Sequence, residues 1–372
     1  MSDEGKQLMK GNEAIGEAAI RAGCTAYFGY PITPQSEIPA YMAKHMLLRK
    51  RIFIQAESEV AAINMVYGAS SVGARAMTSS SSPGVSLKQE GMSYAAGADI
   101  PVVLVNVVRG GPGLGSIAPA QSDYFQSTRG GGHGDYYCIV LAPKSVQECA
   151  DLTYLAFDLA DQYRMPVIVL ADGLIGQMME GVVLPPDRSL DSLPKRSWTA
   201  GHLPERTGKA GGPAVHITSL SLDPAVLEAR NKKRLLRYEE IKAKETRFEA
   251  VGFDTQGSAP DLTLVAYGTS ARIALGAKNL AEKAGIRLGI FRPITLWPFP
   301  YKALAKIAES GKPLLTVEMS EGQLVEDVKL SVFEANPAAP RAPVHLLAHS
   351  GGVIPTEEEV FAEVKKILGG AS

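Results

Sequence analysis

The stretch from Pro101 to Val108 constrains the fold more than any other part of this sequence. After the proline it is a run of valines broken only by one leucine and one asparagine. An apolar run without alternation is typical of a strand that is buried on both faces of a parallel sheet. Parallel strands need long connections, usually a helix, between one strand and the next. The sequence therefore predicts an α/β domain.

The rest of residues 1–172 alternates strand and helix patterns as this prediction requires. Helical periodicity follows most of the strand-like runs, for example over Ser145–Arg164. Six strands with intervening helices indicate a doubly wound sheet. The other five predicted strands are Ala26–Tyr30, Phe53–Gln55, Ala74–Ser79, Cys138–Leu141 and Val167–Leu170.

Composition divides the chain into three predicted parts. The first α/β domain covers residues 1–185, and a second α/β pattern resumes over residues 260–372. Residues 186–259 between them are rich in proline and charge, and we interpret them as a linker. The linker contains one long helix around Pro224–Ala250, whose interspersed basic and acidic residues indicate a solvated or inter-subunit face.

Charge and cysteine content exclude several classes of partner and location. The 372 residues carry a net charge of −1, which gives no reason to expect a nucleic acid or an anionic membrane as partner. The start is polar and no window approaches about 18 apolar residues, so we expect neither a signal peptide nor a membrane span. The three cysteines lack C-x-x-C spacing, which favours a reducing cytoplasm and a chain without its own iron–sulfur cluster or zinc site.

Two carboxylates lie where the Phe53–Gln55 strand gives way to a helix. Helical spacing begins at Glu59, and Ser58 occupies the position of an N-cap. Glu57 and Glu59 are therefore predicted at the carboxyl edge of the sheet, where α/β sheets bind ligands. The alternative is that both acids merely suit the positive end of the helix.

Two further turns end at the same predicted edge. Tyr-Pro-Ile-Thr-Pro closes the first strand and places the Thr33 hydroxyl there, with Pro34 at the start of the next helix. Arg109 follows the valine-rich strand and opens a glycine-rich loop, from which it could bind a carboxylate bidentately. The glycines do not have the G-x-G-x-x-G spacing of a dinucleotide site. A rigid turn with no binding role is the alternative for Thr33.

A long polar segment separates this loop from the next strand. It contains Ser122, Asp123 and, in a run of glycines, His133. Loops of this length in compact domains are usually functional or disordered. We treat the three residues as a possible active-site loop, although a lone loop histidine is more often simply exposed.

Taken together, the motifs over residues 11–135 resemble the alpha subunit of the 2-oxoacid:ferredoxin oxidoreductases, thiamine-diphosphate enzymes. The similarity is greatest to the branched-chain (3-methyl-2-oxobutanoate) and 2-oxoglutarate members. Phe291–Pro300 resembles the transketolase C-terminal-like domain of the same family. Because the motifs begin at residue 11, we expect the unfused form of the subunit. In chain order the motifs are Gly-Asn-Glu-Ala, Tyr-Pro-Ile-Thr-Pro, Gln-Ala-Glu-Ser-Glu, Thr-Ser-Ser-Ser-Ser-Pro-Gly, Arg-Gly-Gly-Pro-Gly-Leu-Gly, Gln-Ser-Asp and Gly-Gly-His-Gly-Asp.

The resemblance implies a pyrimidine-binding domain in which Glu59 hydrogen-bonds N1′ of the aminopyrimidine, with Glu57 the less favoured candidate. It also implies that Thr33 and Arg109 contact the carboxylate of the 2-oxoacid. Ala171-Asp172-Gly173 departs from the Gly-Asp-Gly motif that binds Mg²⁺ and the diphosphate.

A beta subunit is therefore implied for Mg²⁺ and diphosphate binding, with gamma and delta subunits for the remaining functions. The resemblance further implies that the iron–sulfur clusters lie in these partner subunits and that the electron acceptor is ferredoxin. The reaction implied is the CoA-dependent oxidative decarboxylation of a 2-oxoacid to an acyl-CoA and CO₂, in a complex outside which this chain is inactive.

Two other functions stay open at this stage. The chain would suit the pyrimidine-binding subunit of a non-oxidative thiamine-diphosphate decarboxylase or of a transketolase-like enzyme. In a different class, it would suit a non-catalytic nucleotide-binding or scaffold protein. Co-purification of an iron–sulfur protein separates the first alternative from the main hypothesis, and the importance of Glu59 in the complex separates the second.

Overall fold

A computed structural model of the chain describes residues 5–193, 196–200, 215–253, 259–338 and 340–369. In the first half the elements are β1 (Lys6–Lys10), α1 (Gly11–Arg21), β2 (Ala26–Gly29), α2 (Glu37–Leu48), β3 (Ile52–Gln55), α3 (Glu59–Ser71), β4 (Ala76–Ser80), α4 (Ser82–Gly97), β5 (Val102–Val108), α5 (Tyr124–Thr128), β6 (Ile139–Leu141), α6 (Val146–Tyr163), β7 (Pro166–Asp172), α7 (Gly173–Gln177) and β8 (Met179–Val183). In the second half they are α8 (Pro224–Lys244), β9 (Phe248–Val251), β10 (Leu262–Val265), α9 (Gly268–Lys283), β11 (Leu288–Pro293), β12 (Thr295–Trp297), α10 (Tyr301–Ala308), β13 (Leu314–Glu318), α11 (Leu324–Glu334), β14 (Val344–Ala348) and α12 (Glu357–Gly369).

The first sheet has seven strands in the order β12-β6-β7-β5-β4-β2-β3. The six strands from the first half are mutually parallel, and every residue of β5 is buried, as the valine-rich run predicts. The seventh strand, β12, comes from the second half and pairs antiparallel with β6. Because the parallel strands all run the same way, their carboxyl ends meet at one edge, where ligand sites form in such sheets.

The second sheet has the order β14-β13-β10-β11-β9, in which β9 is antiparallel to β11. The helix predicted around Pro224–Ala250 is shorter than expected. It ends at Lys244, and Phe248–Val251 forms β9 instead. Aromatic and β-branched side chains such as Phe248 and Val251 favour a strand. The end of the predicted linker is therefore part of the second sheet.

Buried hydrogen bonds join the two halves. Gln121 donates to the Tyr267 carbonyl (2.8 Å) and accepts from Ser270 Oγ and the Met319 amide (3.0 Å each). Asp172 accepts from the Thr269 hydroxyl (2.7 Å) and amide (3.2 Å). Burial raises the pKa of Asp172, although these hydrogen bonds oppose the shift. Asp172 thus lies in the contact between the halves.

Other predictions from the sequence can be compared with the same structure. Helix α2 begins at Glu37, so the prediction of Pro34 at a helix start was wrong. The Pro34 carbonyl instead accepts from the side chains of Asn12 (2.9 Å) and Gln177 (3.0 Å). All three cysteines are buried, as expected of small apolar side chains. Within the described ranges, no helix has the length and apolarity that crossing a membrane requires, and no cluster of His, Cys, Asp and Glu suits a metal ion.

Candidate functional site

The junction between β3 and α3 separates the two candidate carboxylates. Helix α3 begins at Glu59, and Ser58 caps it by accepting a hydrogen bond from the Ala61 amide (3.1 Å), as predicted. Glu57 is exposed, whereas Glu59 is only 6% exposed. Ser58, the residue between them, has an extended backbone, and the helix begins at Glu59. The two acids therefore lie in different backbone conformations, and only one of them is buried. Glu59 therefore lies inside the carboxyl edge of the sheet, and Glu57 lies on the surface.

Helix α4 encloses the Glu59 side chain. A Cβ atom on Gly84, in the first turn of α4, would lie 2.6 Å from Glu59 Oε1 and 2.2 Å from Ser80 Oγ. Only glycine leaves room for the carboxylate in this position. The Ser80 and Ser81 hydroxyls beside it are buried and have no hydrogen-bond partner in the described parts of the chain. In those same parts, nothing donates a hydrogen bond to the Glu59 carboxylate, so its acceptor capacity is left for a ligand.

Arg109 ties two loops together at the same edge. Its guanidinium donates to the backbone carbonyls of Thr33 and Leu114, both at 3.0 Å. Its backbone exchanges hydrogen bonds with the Ser82 hydroxyl at the start of α4. The side chain is buried, and its Nε has no partner among the described residues. The expected Arg109 and Thr33 pair is therefore brought together, with donors still free on the guanidinium, and Thr33 itself is exposed.

The long polar segment is divided between two places. Asp123 accepts from Asn106 Nδ2 (2.8 Å), and Asn106 Oδ1 accepts from the Ser82 amide (3.2 Å), which links Asp123 to the start of α4. Burial raises the pKa of Asp123. The Ser122 carbonyl accepts from Gln323 in the second half (2.7 Å). These contacts hold the beginning of the segment near the site.

His133 lies elsewhere. Its ring is exposed and packs edge-on against Tyr94, with 6.0 Å between ring centroids, and its carbonyl accepts from the Ser93 hydroxyl. Ser93 lies nine residues beyond Gly84 on α4, which is about 14 Å along the helix axis. Within this chain, His133 is not brought together with Glu59.

Sequence reasoning missed several residues that shape the site. Gly84 follows a Ser-Pro pair at a helix start, and nothing local distinguishes it from an ordinary turn glycine. Asn106, the polar residue in the valine-rich strand, was a visible signal, because a buried amide needs partners. Lys88 is the third, a fully buried lysine in α4.

Comparison with known proteins decides the family. Residues 17–240 match the family described as "Pyruvate flavodoxin/ferredoxin oxidoreductase, thiamine diP-bdg", and residues 260–360 match "Pyruvate:ferredoxin oxidoreductase core domain II". The chain belongs to the 2-oxoacid:ferredoxin oxidoreductase family. It is 45% identical, over 98% of both chains, to the ketoisovalerate oxidoreductase subunit VorB of Methanothermobacter marburgensis. It is 42% identical to the 2-oxoglutarate synthase subunit KorA of Archaeoglobus fulgidus, over 87% of this chain and 90% of that one.

Solved structures agree with this membership in the 2-oxoacid:ferredoxin oxidoreductases. The 2-oxoglutarate:ferredoxin oxidoreductase from Magnetococcus marinus, solved with 2-oxoglutarate, coenzyme A and succinyl-CoA, superposes with a TM-score of 0.83 at 26% identity. The match covers 98% of this chain and 65% of that longer one. A split-gene transketolase shares the fold, with a TM-score of 0.61 at 16% identity over 97% of this chain and 98% of that one. The predicted family, the predicted similarity to its branched-chain and 2-oxoglutarate members, and the α/β fold class are confirmed.

The residues at the edge fit the aminopyrimidine of thiamine diphosphate. A buried carboxylate with unused acceptor capacity suits a ring nitrogen that carries a proton. The unpartnered Ser80 and Ser81 hydroxyls add polar contacts beside it. Asp172, the acid of the Ala171-Asp172-Gly173 turn, already accepts four hydrogen bonds, two from the first amides of α7 and two from Thr269 in the second half. These residues thus suit the pyrimidine end of the cofactor, and Asp172 does not lie free to bind its diphosphate.

Proposed function

We propose that this chain is the alpha subunit of a 2-oxoacid:ferredoxin oxidoreductase and that Glu59 is its catalytic carboxylate, the group that hydrogen-bonds N1′ of the aminopyrimidine. The observation that carries the proposal is the buried Glu59 side chain, seated against Gly84 at the carboxyl edge with its acceptor capacity unused. The exposed Glu57 lacks this setting. Thiamine-diphosphate binding is the function of the matched family domain.

The reaction is the CoA-dependent oxidative decarboxylation of a 2-oxoacid to an acyl-CoA and CO₂, with electrons passing to ferredoxin. When bound, thiamine diphosphate supplies the carbon nucleophile for the 2-oxo group. Glu59 holds and returns a proton at N1′, which is the work of a general acid–base group. Arg109 and Thr33 bind the substrate carboxylate, and Ser122 and Asp123 line the site at the start of the polar segment.

A partner chain completes the site in this proposal. Exposed apolar side chains lie on the segments that hold Glu59 and Arg109, with Val60 on α3 at 43%, Leu87 on α4 at 53% and Leu114 in the loop after Arg109 at 84%. Covering them would exclude water from Glu59 and strengthen its hydrogen bond. We assign the Mg²⁺–diphosphate site to a beta subunit and the iron–sulfur clusters to further subunits of the gamma and delta type. We also propose a cytoplasmic location, which the three free cysteines support.

The proposed division of the chain keeps an α/β pyrimidine domain over 1–185, a linker over 186–259 and a transketolase C-terminal-like domain over 260–372. The second family match, which begins at residue 260, supports the later boundary. The linker contributes β9 to the second sheet. Its helix α8 packs on the first domain, where the Arg237 guanidinium pairs with Asp99 at 2.6 Å.

The substrate we favour is a branched-chain 2-oxoacid. A groove of about 460 Å³ beside Thr33 is lined by Pro34, Ile117, Leu174 and Ile354, among others. In the described parts of the chain, its lining contains no lysine or arginine, and its acid, Glu37, already holds the nearby Lys10 ammonium at 3.1 Å. A branched aliphatic side chain suits this surface better than the distal carboxylate of 2-oxoglutarate.

A panel of oxoacids tests this preference. With the native complex, CoA and a dye acceptor, we expect kcat/KM for 3-methyl-2-oxobutanoate to exceed that for 2-oxoglutarate at least about tenfold, because an unpaired buried carboxylate costs more than about 1.4 kcal/mol. Equal values, or a preference for 2-oxoglutarate, would place the distal carboxylate against a cation outside this groove. Oxoacid-independent dye reduction, or decarboxylation without acyl-CoA, would refute the proposed reaction.

Substitution of Arg109 tests the carboxylate site. In the Arg109→Ala complex we expect kcat/KM to fall by the equivalent of about 1.5–3 kcal/mol, the cost of losing a charged hydrogen bond. Arg109→Lys should recover only part of this loss, since an ammonium cannot bind the Thr33 and Leu114 carbonyls and a carboxylate with one planar fork. Thermal unfolding of both variants controls for loosening of the two loops. A near-normal kcat/KM in Arg109→Ala would move the carboxylate site elsewhere.

A further inference from the structure

Lys88 is a buried charge next to the candidate carboxylate. Its side chain is fully buried, and its Nζ donates to Thr78 Oγ1 at 3.1 Å and, at the long end of hydrogen bonding, to the Glu59 carbonyl at 3.4 Å. Both acceptors are neutral. No carboxylate of the described residues lies within 4.0 Å of the ammonium. A lysine in such a place is unusual, because buried lysines are normally paired.

The packing of α4 explains how the ammonium arrives there. Gly84, Lys88 and Gly91 are four and three residues apart and share one face of the helix. The two glycines let α3 approach closely, since a Cβ on Gly84 would meet Glu59 and one on Gly91 would lie 2.5 Å from Ile63 Cγ1. Helical side chains lean towards the N-terminus. The Lys88 side chain therefore reaches back from between the glycines towards Glu59.

This arrangement costs stability. Burial lowers the pKa of Lys88 to about 8, and the charge of Glu59 acts in the opposite direction. Glu59, from α3, is the charged group that faces Lys88, and Thr78 from β4 is neutral. An apolar side chain of similar length would avoid the cost of burying a charge. Groups that destabilise the fold at a site are typical of functional residues.

We propose that Lys88 is a positioning residue that acts on Glu59 through its positive charge, an inference that rests on the proposed function of Glu59. Attraction between unlike charges stabilises negative charge on the Glu59 side chain. A proton shared between Glu59 and N1′ then lies nearer to the ring nitrogen, which is where the chemistry needs it. Neither group's role depends on a direct ion pair, because the field acts across a dry interior.

The first test measures stability. Between about pH 8 and pH 10 the unfolded chain binds the Lys88 proton more tightly than the folded chain, so wild-type stability gains from rising pH in this window. Lys88→Met lacks that gain. At pH 7 we expect the Tm of the Met variant of the full chain to exceed the wild-type Tm by about 2 °C or more, with the difference shrinking towards pH 10. If the Tm of the Met variant is instead below the wild-type Tm at pH 7, and the difference between them is the same at pH 10, Lys88 is an ordinary structural residue and the inference is overturned.

The second test measures deuterium exchange at C2 of thiamine diphosphate bound in the native complex. Lys88→Met and Lys88→Gln should both slow exchange about tenfold at pH 7, because either change removes the positive charge that acts on Glu59. The wild-type advantage should disappear as Lys88 loses its proton above about pH 8. Lys88→Gln keeps hydrogen-bonding atoms without the charge. A wild-type rate in Lys88→Gln would therefore overturn the role of the charge, and Gln also serves if the Met variant does not assemble.

A double variant separates this inference from the function it rests on. In a Glu59→Gln background, Lys88→Met should change the exchange rate less than about twofold, because the charge has lost its target. A tenfold effect in both backgrounds would indicate general disruption and overturn the inference. If Glu59→Gln alone exchanges normally, the proposed function fails. If Glu59→Gln is slow and both Lys88 variants are normal, only the inference fails.

Discussion

Glu59→Gln is expected to slow exchange of the C2 proton of bound thiamine diphosphate at least about a hundredfold while leaving the complex assembled. Glutamine keeps the volume of the side chain and one hydrogen bond, so Gly84 and α4 have no reason to move. It cannot exchange a proton with N1′. The exchange rate should therefore fall because proton transfer is lost and not because packing changes. A hundredfold decrease is in the range seen when an acid–base group is removed.

Glu57→Gln is the matched control. It is the same chemical change two residues away, at an exposed side chain, and we expect exchange at close to the wild-type rate. Deuterium exchange in the reconstituted complex gives the rate, and gel filtration reports assembly. Slow exchange in Glu57→Gln with a normal Glu59→Gln would mean that the exposed acid is the relevant one. Normal exchange in both would remove the thiamine assignment from this chain.

Gly84→Ala is expected to have a similarly large effect through geometry alone. The added Cβ would lie 2.6 Å from Glu59 Oε1 and 2.2 Å from Ser80 Oγ, both at the ends of side chains that can rotate. The fold can therefore adapt, but the carboxylate must move. A displacement of about 1 Å at a reacting group can cost about a hundredfold in rate. We expect a loss of that size in C2 exchange.

Stability should change far less in this variant. Crowding costs about 1–3 kcal/mol, and the better helix propensity of alanine returns up to about 1 kcal/mol. Gly68→Ala, in α3, is the control, because nothing lies within 4 Å of a Cβ there. It should keep the wild-type exchange rate and be as stable or slightly more so. Wild-type exchange in Gly84→Ala would mean that Glu59 does not act from the position described.

Local sequence patterns were sufficient for the framework of the site. The valine-rich run predicted a doubly buried parallel strand, and β5 is buried throughout. Ser58 was predicted as an N-cap and is one. These features depend on backbone preferences and periodicities within a few residues, so they can be read without knowing the fold. The same reasoning predicted that Glu57, Glu59, Thr33 and Arg109 lie at the carboxyl edge of the sheet.

Contacts between distant segments were beyond that reasoning. Strand β12 leaves the second half to pair with β6, and β9 ends the predicted linker in the second sheet. His133 lies beside Ser93 in the later part of α4, away from Glu59. In each case the partner lies far along the chain, and no local pattern specifies it.

The sequence by itself determined the α/β class, the order of most strands and helices, and the edge at which the polar residues gather. Only the tertiary structure decided which acid is enclosed, because the local patterns place both Glu57 and Glu59 at the carboxyl edge and do not specify what packs against either side chain. That choice comes from α4, where Gly84 makes room for Glu59 and Lys88 reaches back to its carbonyl. Periodicity reports how a segment is folded, whereas burial of one side chain depends on the shape of whatever packs against it.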